Sequence, residues 1–183
     1  MRAISHHQFG RFLGQLYLPN ASPTHLRFFL LGCTQPDKNP ATYLKGSLKY
    51  RWLHGHDYFN CKTYIFRLCR RLQRKTDWTW KEYYALGKLI HYIADAFTYA
   101  HSASFGGNLS EHRQYEQHLH EQFSLRLSQP PNIFPRISSC AAKTIQQYHR
   151  LYRQLTPQIT TDLDFSIGVS MEVMEILTAN KKT

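Results

Sequence analysis

The run from Leu86 to Glu116 constrains this chain more than any other stretch. It holds His91 and Asp95 four residues apart, then His101, then His112 and Glu116 at the same spacing. In a helix an i, i+4 pair lies on one face, one turn apart. Imidazole and carboxylate are the nitrogen and oxygen donors that zinc takes, usually four per ion. Two neighbouring helices can each aim such a pair into the gap between them, as di-metal helical bundles do. Either pair alone is most simply a weak surface ion pair. Two pairs on flanking elements, with a histidine between them, point to metal instead.

The local pattern agrees. Leu86, Ile90, Ile93 and Phe97 form an apolar stripe at helical spacing. His91 and Asp95 lie off that stripe, beside Gly87 and Ala94. A helix apolar on one side and lined with small residues on the other is buried on both. A buried Asp must be paired, hydrogen-bonded or metal-bound.

A chain of 183 residues fits one domain over 1–183, large enough for a substantial core. The net charge of +11 implies attraction to anions: phosphate esters, nucleic acid or an anionic membrane surface in peripheral contact. Charge alone does not choose among them, and a generically basic surface carries the same number. The 11 histidines agree with metal binding. Cys33, Cys61, Cys69 and Cys140 have no CxxC spacing, so reduced thiols are expected rather than a disulfide framework or a zinc ribbon. The first residues carry no apolar signal region, which makes the cytoplasm the expected compartment. No run approaches the roughly 18 apolar residues of a membrane span.

Taken in order, residues 5–18 read as a helix with Phe9, Phe12, Leu13, Leu16 and Tyr17 at helical spacing, Ser5 as its N-cap and His6 and His7 in its first turn. A short second helix follows Ser22-Pro23 and ends at Gly32. Gly32 to Pro40 then reads as a loop, with Asp37 as a turn residue unless its neighbours in space give it chemistry. Residues 42–58 are basic and aromatic and read as loop or broken helix. His54 and His56 cannot share a helical face, so one of them at most is a ligand if this part is helical. Helices are expected over 60–75, 79–100, 110–127, 139–154 and 160–180. Arg67, Arg70, Arg71, Arg74 and Lys75 give the first of these a solvated basic face. Asn108 with Glu111 fits a capping box. His149 reads as a surface residue. No alternating Val/Ile-rich run suggests a sheet, so the class is all-α.

The ordered set Ser5-His6, Gly32-Cys-Thr-Gln-Pro-Asp37, Gly55-His56, Gly87-Lys-Leu-Ile-His91-Tyr-Ile-Ala-Asp95, Ala100-His101 and His112-Arg-Gln-Tyr-Glu116 resembles the zinc-dependent phospholipase C family. That family shares its all-helical fold with the S1/P1-type nucleases. The order of the ligand-type residues, over about the first two thirds of the chain, makes the likeness specific.

The resemblance implies a multi-helix bundle with a cluster of two or three zinc ions between its helices. His91, Asp95 and His56 would hold one ion, and His101, His112 and Glu116 a second. Asp95 would bridge towards a third, to which His6 contributes. Asp37 would lie at the first ion as ligand and general base. There are two departures. The family's secreted enzymes use a free N-terminal Trp as a ligand, and no such Trp is present here. Tyr99 stands where the family often has Pro before Ala-His.

The implied chemistry is phosphodiester hydrolysis, with a phospholipid as the expected substrate. Tyr58, Phe59 or Phe105 could cradle an acyl glycerol or a choline head, or could simply be core residues. Two other readings stand beside it: a nuclease on the same scaffold, which the charge favours, and a non-catalytic helical zinc-binding protein.

Overall fold

The computed structural model describes residues 1–39, 57–102, 104–130, 134–179 and 181. Among these there are seven α-helices, one short 3₁₀ turn and no strand. The helices are α1 (Ala3–Tyr17), α2 (Pro23–Lys38), α3 (Tyr58–Arg74), α4 (Trp80–Ala96), α5 (Leu109–Ser128), α6 (Ala141–Tyr152) and α7 (Ile159–Thr178). The 3₁₀ turn, Tyr99–His101, lies between α4 and α5.

The bundle is built around α4, which packs against α1, α2, α3 and α7. Both of its sides are covered. Leu86, Ile90 and Ile93 are buried with Phe97 on the apolar stripe, and so are Gly87, His91, Ala94 and Asp95 on the other face. A capping box starts the helix: the Thr79 hydroxyl accepts from backbone N–H groups, and Glu82 Oε2 accepts from Thr79 N at 3.0 Å. The buried Glu82 carboxylate also takes Arg71 Nη2 at 2.7 Å and Lys75 Nζ at 3.0 Å, tying the end of α3 to the start of α4. Two residues of the basic face of α3 therefore meet a carboxylate rather than water alone.

The α2–α4 crossing sets the site. Here the two backbones touch through glycine. A Cβ on Gly32 would lie 2.3 Å from the Tyr84 carbonyl oxygen, and one on Gly87 would lie 2.0 Å from the Phe29 carbonyl oxygen. This overturns the expectation that Gly32 ends the second helix. Gly32 serves a close approach, and α2 runs on through Pro36 to Lys38. Pro36 has no N–H to donate back along the helix, yet α2 continues past it, so Asp37 sits on the last turn of α2 and not on a loop.

Other boundaries shift by smaller amounts. α1 starts at Ala3, so Ser5 is not its cap; buried, it places Oγ 2.8 Å from His120 Nδ1 on α5. α4 stops at Ala96 because Thr98 turns back, donating from both N and Oγ1 to the Asp95 carbonyl. The Asn108–Glu111 capping box starts α5 as expected. His149 is buried on the inner face of α6, one turn after Ile145, with its ring stacked on Tyr58 at 3.6 Å. It is therefore not a surface residue. The segment holding His54 and His56 lies outside the described residues. No helix among those described is long and apolar enough to cross a membrane.

Candidate metal centre

Asp95 is fully buried in the last turn of α4. A carboxylate is disfavoured there twice, by loss of water and by the negative end of the helix dipole. Cationic and polar neighbours offset this. The Met1 amino group lies 2.6 Å from Oδ1, His6 Nε2 3.1 Å from Oδ1, His91 Nε2 3.2 Å from Oδ2 and His101 Nε2 3.7 Å from Oδ1. Burial alone would raise the Asp95 pKa; His101, the Met1 amine, His6 and His91 together hold it well below the usual carboxylate range. Such convergence on one buried carboxylate is the electrostatic signature of a cation site.

Two sets of donors meet at this residue. The first is His6 from α1, Asp37 from α2, and His91 and Asp95 from α4, with one ligand-type atom of each within 4.8 Å of the others. His91 Nδ1 donates to the Cys33 carbonyl at 2.9 Å, since a carbonyl can only accept. This fixes the tautomer and leaves Nε2 facing Asp37 Oδ1 at 3.5 Å and Asp95. A carbonyl behind a ligating histidine is the usual orienting device of metal sites. His6 stacks on His91 at 3.9 Å. Burial, then the neighbouring His91, push the His6 pKa down to about 4 against the pull of Asp95, so its imidazole is neutral, as a metal ligand must be. For His91 the opposing effects end the other way: burial lowers its pKa, but Asp95 and Asp37 more than restore it.

The second set is His101 from the 3₁₀ turn with His112 and Glu116 from α5, again within 4.8 Å of one another. His101 Nε2 and His112 Nε2 lie 3.2 Å and 3.5 Å from Glu116 Oε1. The Met1 amino group stands between the sets, also 3.0 Å from Glu116 Oε1 and 3.0 Å from His101 Nε2. Burial opposes its charge, but Asp95, Glu116 and Asp37 push its pKa up to about 11.

The geometry and chemistry of these donors fit zinc. A tetrahedron of zinc bonds to nitrogen and oxygen has donor–donor edges of about 3.3 Å. The shortest ligand-type contacts within the two sets span 3.1–3.5 Å, and all donors of each set lie within 4.8 Å of one another. The buried Nδ1 of His6 has no hydrogen-bond partner among the described residues, which leaves this ring donor capacity to spare.

Of the residues named from sequence, the structure brings His6, Asp37, His91, Asp95, His101, His112 and Glu116 together. His7 is exposed and belongs to neither set. His56 lies outside the described residues. Sequence reasoning missed the Met1 amino group and the Cys33 carbonyl. Both are backbone groups and leave no side-chain signature.

A pocket of about 170 Å³ opens beside His101. Tyr58, Phe59, Tyr99, His149, Tyr152 and Arg153 are among its walls. Tyr58 is buried and Phe59 is half exposed, with the Arg153 guanidinium 5.1 Å above the Phe59 ring. Phe105 lies nearby, edge-on to Tyr99 at 5.3 Å and to His112 at 5.7 Å.

The sequence model of a family described as zinc dependent phospholipase C matches residues 5–161. Comparison with curated proteins and with solved structures returns no match.

Proposed function

The chain belongs to the zinc-dependent phospholipase C family, and from that premise we propose that it hydrolyses a phosphodiester bond of a phospholipid, using both donor sets around Asp95. The observation that carries this reading is the position of Asp95, within 3.2 Å of His6 and His91 in one set and 3.7 Å from His101 in the other. One buried carboxylate shared by two donor sets suits two or three closely spaced cations, whose mutual repulsion it offsets. Bound zinc supplies the charge that polarises a phosphoryl oxygen and acidifies a water.

The remaining steps belong to side chains. His6, His91, Asp95, His101, His112 and Glu116 are assigned as ligands. Asp37, with a side chain 19 % exposed at the edge of the first set, is both ligand and proton acceptor. Its carboxylate takes the proton of the attacking water as the new phosphorus–oxygen bond forms. The phosphorus–oxygen bond to the glycerol then breaks, and the proton ends on that leaving oxygen. The aromatic pocket beside His101 receives the organic part of the substrate, with Tyr58 and Tyr152 as walls and Phe59 at the rim. The net charge of +11 favours nucleic acid as the competing substrate class.

The test is an assay of the zinc-loaded, zinc-stripped and reloaded protein on phospholipid vesicles, a soluble phosphodiester analogue and single-stranded nucleic acid. Zinc-dependent turnover of the first two is expected. Turnover of nucleic acid alone would move the assignment to a nuclease. No turnover of any substrate by the fully loaded protein would leave a non-catalytic zinc protein.

A further inference from the structure

Asp162 is fully buried in the first turn of α7, one residue past the stretch that matches the family. An acidic residue at a helix N-terminus is ordinary, because it complements the helix dipole. This one points elsewhere. Its Oδ2 accepts from the Tyr99 backbone N–H at 2.7 Å and from the Tyr115 hydroxyl at 2.8 Å, and its Oδ1 from the Tyr152 hydroxyl at 2.7 Å. Three donors from the 3₁₀ turn, α5 and α6 therefore converge on one carboxylate.

The identity of the donors gives the contact its meaning. Tyr99 opens the 3₁₀ turn that carries His101, and Tyr115 precedes Glu116 and follows His112 by three residues. The second set's own three residues, His101, His112 and Glu116, stand on these two elements and no others. A single oxygen of Asp162 holds both. The bond at Tyr99 uses a backbone N–H, which a proline at this position would lack.

We propose that Asp162 is the positioning residue of the second metal set: it clasps the His101 turn to α5 and so presets the spacing of His101, His112 and Glu116. The inference rests on the metal reading above. Outer partners that orient ligands are worth about 10-fold to 100-fold in metal affinity. Asp162 acts one step further out, on the backbone and on a neighbour of the ligands. None of its three donors belongs to the first set.

The test is competitive chelator titration of the full chain with Zn²⁺ alone, repeated with Co²⁺ for its ligand-field absorption. The binding step that disappears in His112→Ala identifies the second set. Asp162→Ala is expected to weaken that step about 10-fold to 100-fold and leave the first within about threefold. Asp162→Asn should recover most of the loss: a suitably turned amide offers its oxygen to Tyr99 and Tyr115 and its NH₂ to Tyr152. Should Asp162→Ala fail to fold, two single-atom deletions decide. Tyr115→Phe removes the donor on the metal side and Tyr152→Phe the donor on the far side. Weakening of the second step by the first alone supports the clasp. Equal effects, no effect, or parallel loss at both sets would overturn it and leave Asp162 a plain core residue. A wild-type chain that takes up no second ion overturns the metal reading and the proposal with it. A wild-type chain that binds the ion no better than Asp162→Ala overturns the proposal alone.

Discussion

The two donor sets meet at Asp95 but are built in different ways. The first is drawn from three long helices at the bundle's densest crossing, and His6, His91 and Asp95 there are each no more than 1 % exposed. The second comes from a three-residue turn and the start of α5, with His101, His112 and Glu116 12–21 % exposed. One set is part of the core; the other is mounted on its edge. Metal bound at the first would thus be coupled to folding, because its donors meet only when α1, α2 and α4 have packed. Metal bound at the second would depend on local geometry, and it would stand next to the pocket. The contrast can be broken or sharpened by substitutions that touch both sets, one set, or neither.

Asp95→Ala touches both and should have the largest effect. It removes the shared carboxylate and leaves the Met1 amino group and His91 buried beside a smaller side chain. Breaking a buried ion pair costs about 3–5 kcal/mol. Zinc content should fall at both sets, the melting temperature should drop sharply, and activity should vanish. Retention of one full equivalent of zinc would show that the sets are independent.

Asp37→Asn is confined to the first set and should separate chemistry from binding. The amide keeps one oxygen near His91 but cannot take a proton. Turnover should fall by about 100-fold to 10,000-fold, the usual worth of a positioned base, while zinc content and melting temperature stay near those of the wild type. Near-normal turnover by the fully metallated variant would remove Asp37 from the catalytic list, and loss of zinc would make it a ligand first.

How much of this could be read from the sequence divides along the same line. The all-α class, the buried two-sided α4 and five of the eight proposed ligands, His91, Asp95, His101, His112 and Glu116, follow from periodicity and from His/carboxylate spacing, while His6 and Asp37 enter only through the resemblance to the family. The eighth, His56, lies outside the described residues. Local reading failed where tertiary packing overrides it. Gly32 and Pro36 carry the signals of a helix end, yet the crossing with Gly87 needs a residue without Cβ inside a continuing helix. His149 looked polar and external, but it falls on the inner face beside Tyr152. Asp162 gave no signal beyond a favourable helix start, because its three partners lie 10–63 residues away in sequence.

His149 belongs to neither set and lines the pocket wall between α3 and α6. Burial, then nearby Arg153 and Lys62, push its pKa down to about 4 from an ordinary 6.5. The unfolded chain therefore takes up the proton first as pH falls. This contribution to stability is complete above about pH 6.5, is lost between there and about pH 4, and does not change further below. Zinc binding itself varies with pH because the ligands must be deprotonated, so the comparison must be made with His149→Phe on metal-free protein. Its stability should decline less than the wild type's between the two pH values by urea denaturation, and parallel curves would place His149 in contact with water.

The smallest effect should come from the start of α5, and it tests whether the second set is mounted locally. Asn108 Oδ1 accepts from Ser110 N at 2.8 Å and Glu111 N at 3.1 Å, and Glu111 Oε2 accepts from Asn108 N at 2.7 Å. The cap is exposed, so Asn108→Ala should cost only about 1 kcal/mol of global stability. His112 lies one turn beyond the cap, and fraying of that turn would disengage one ligand of the second set while Glu116, a turn deeper, stays in place. Zn²⁺ affinity at the second set should therefore weaken by a few-fold, with none lost at the first, whose ligands stand on α1, α2 and α4. Equal weakening at both sets would mean that α5 is welded to the core through its Asp162 and α1 contacts, and that the edge and the core behave as one rigid unit.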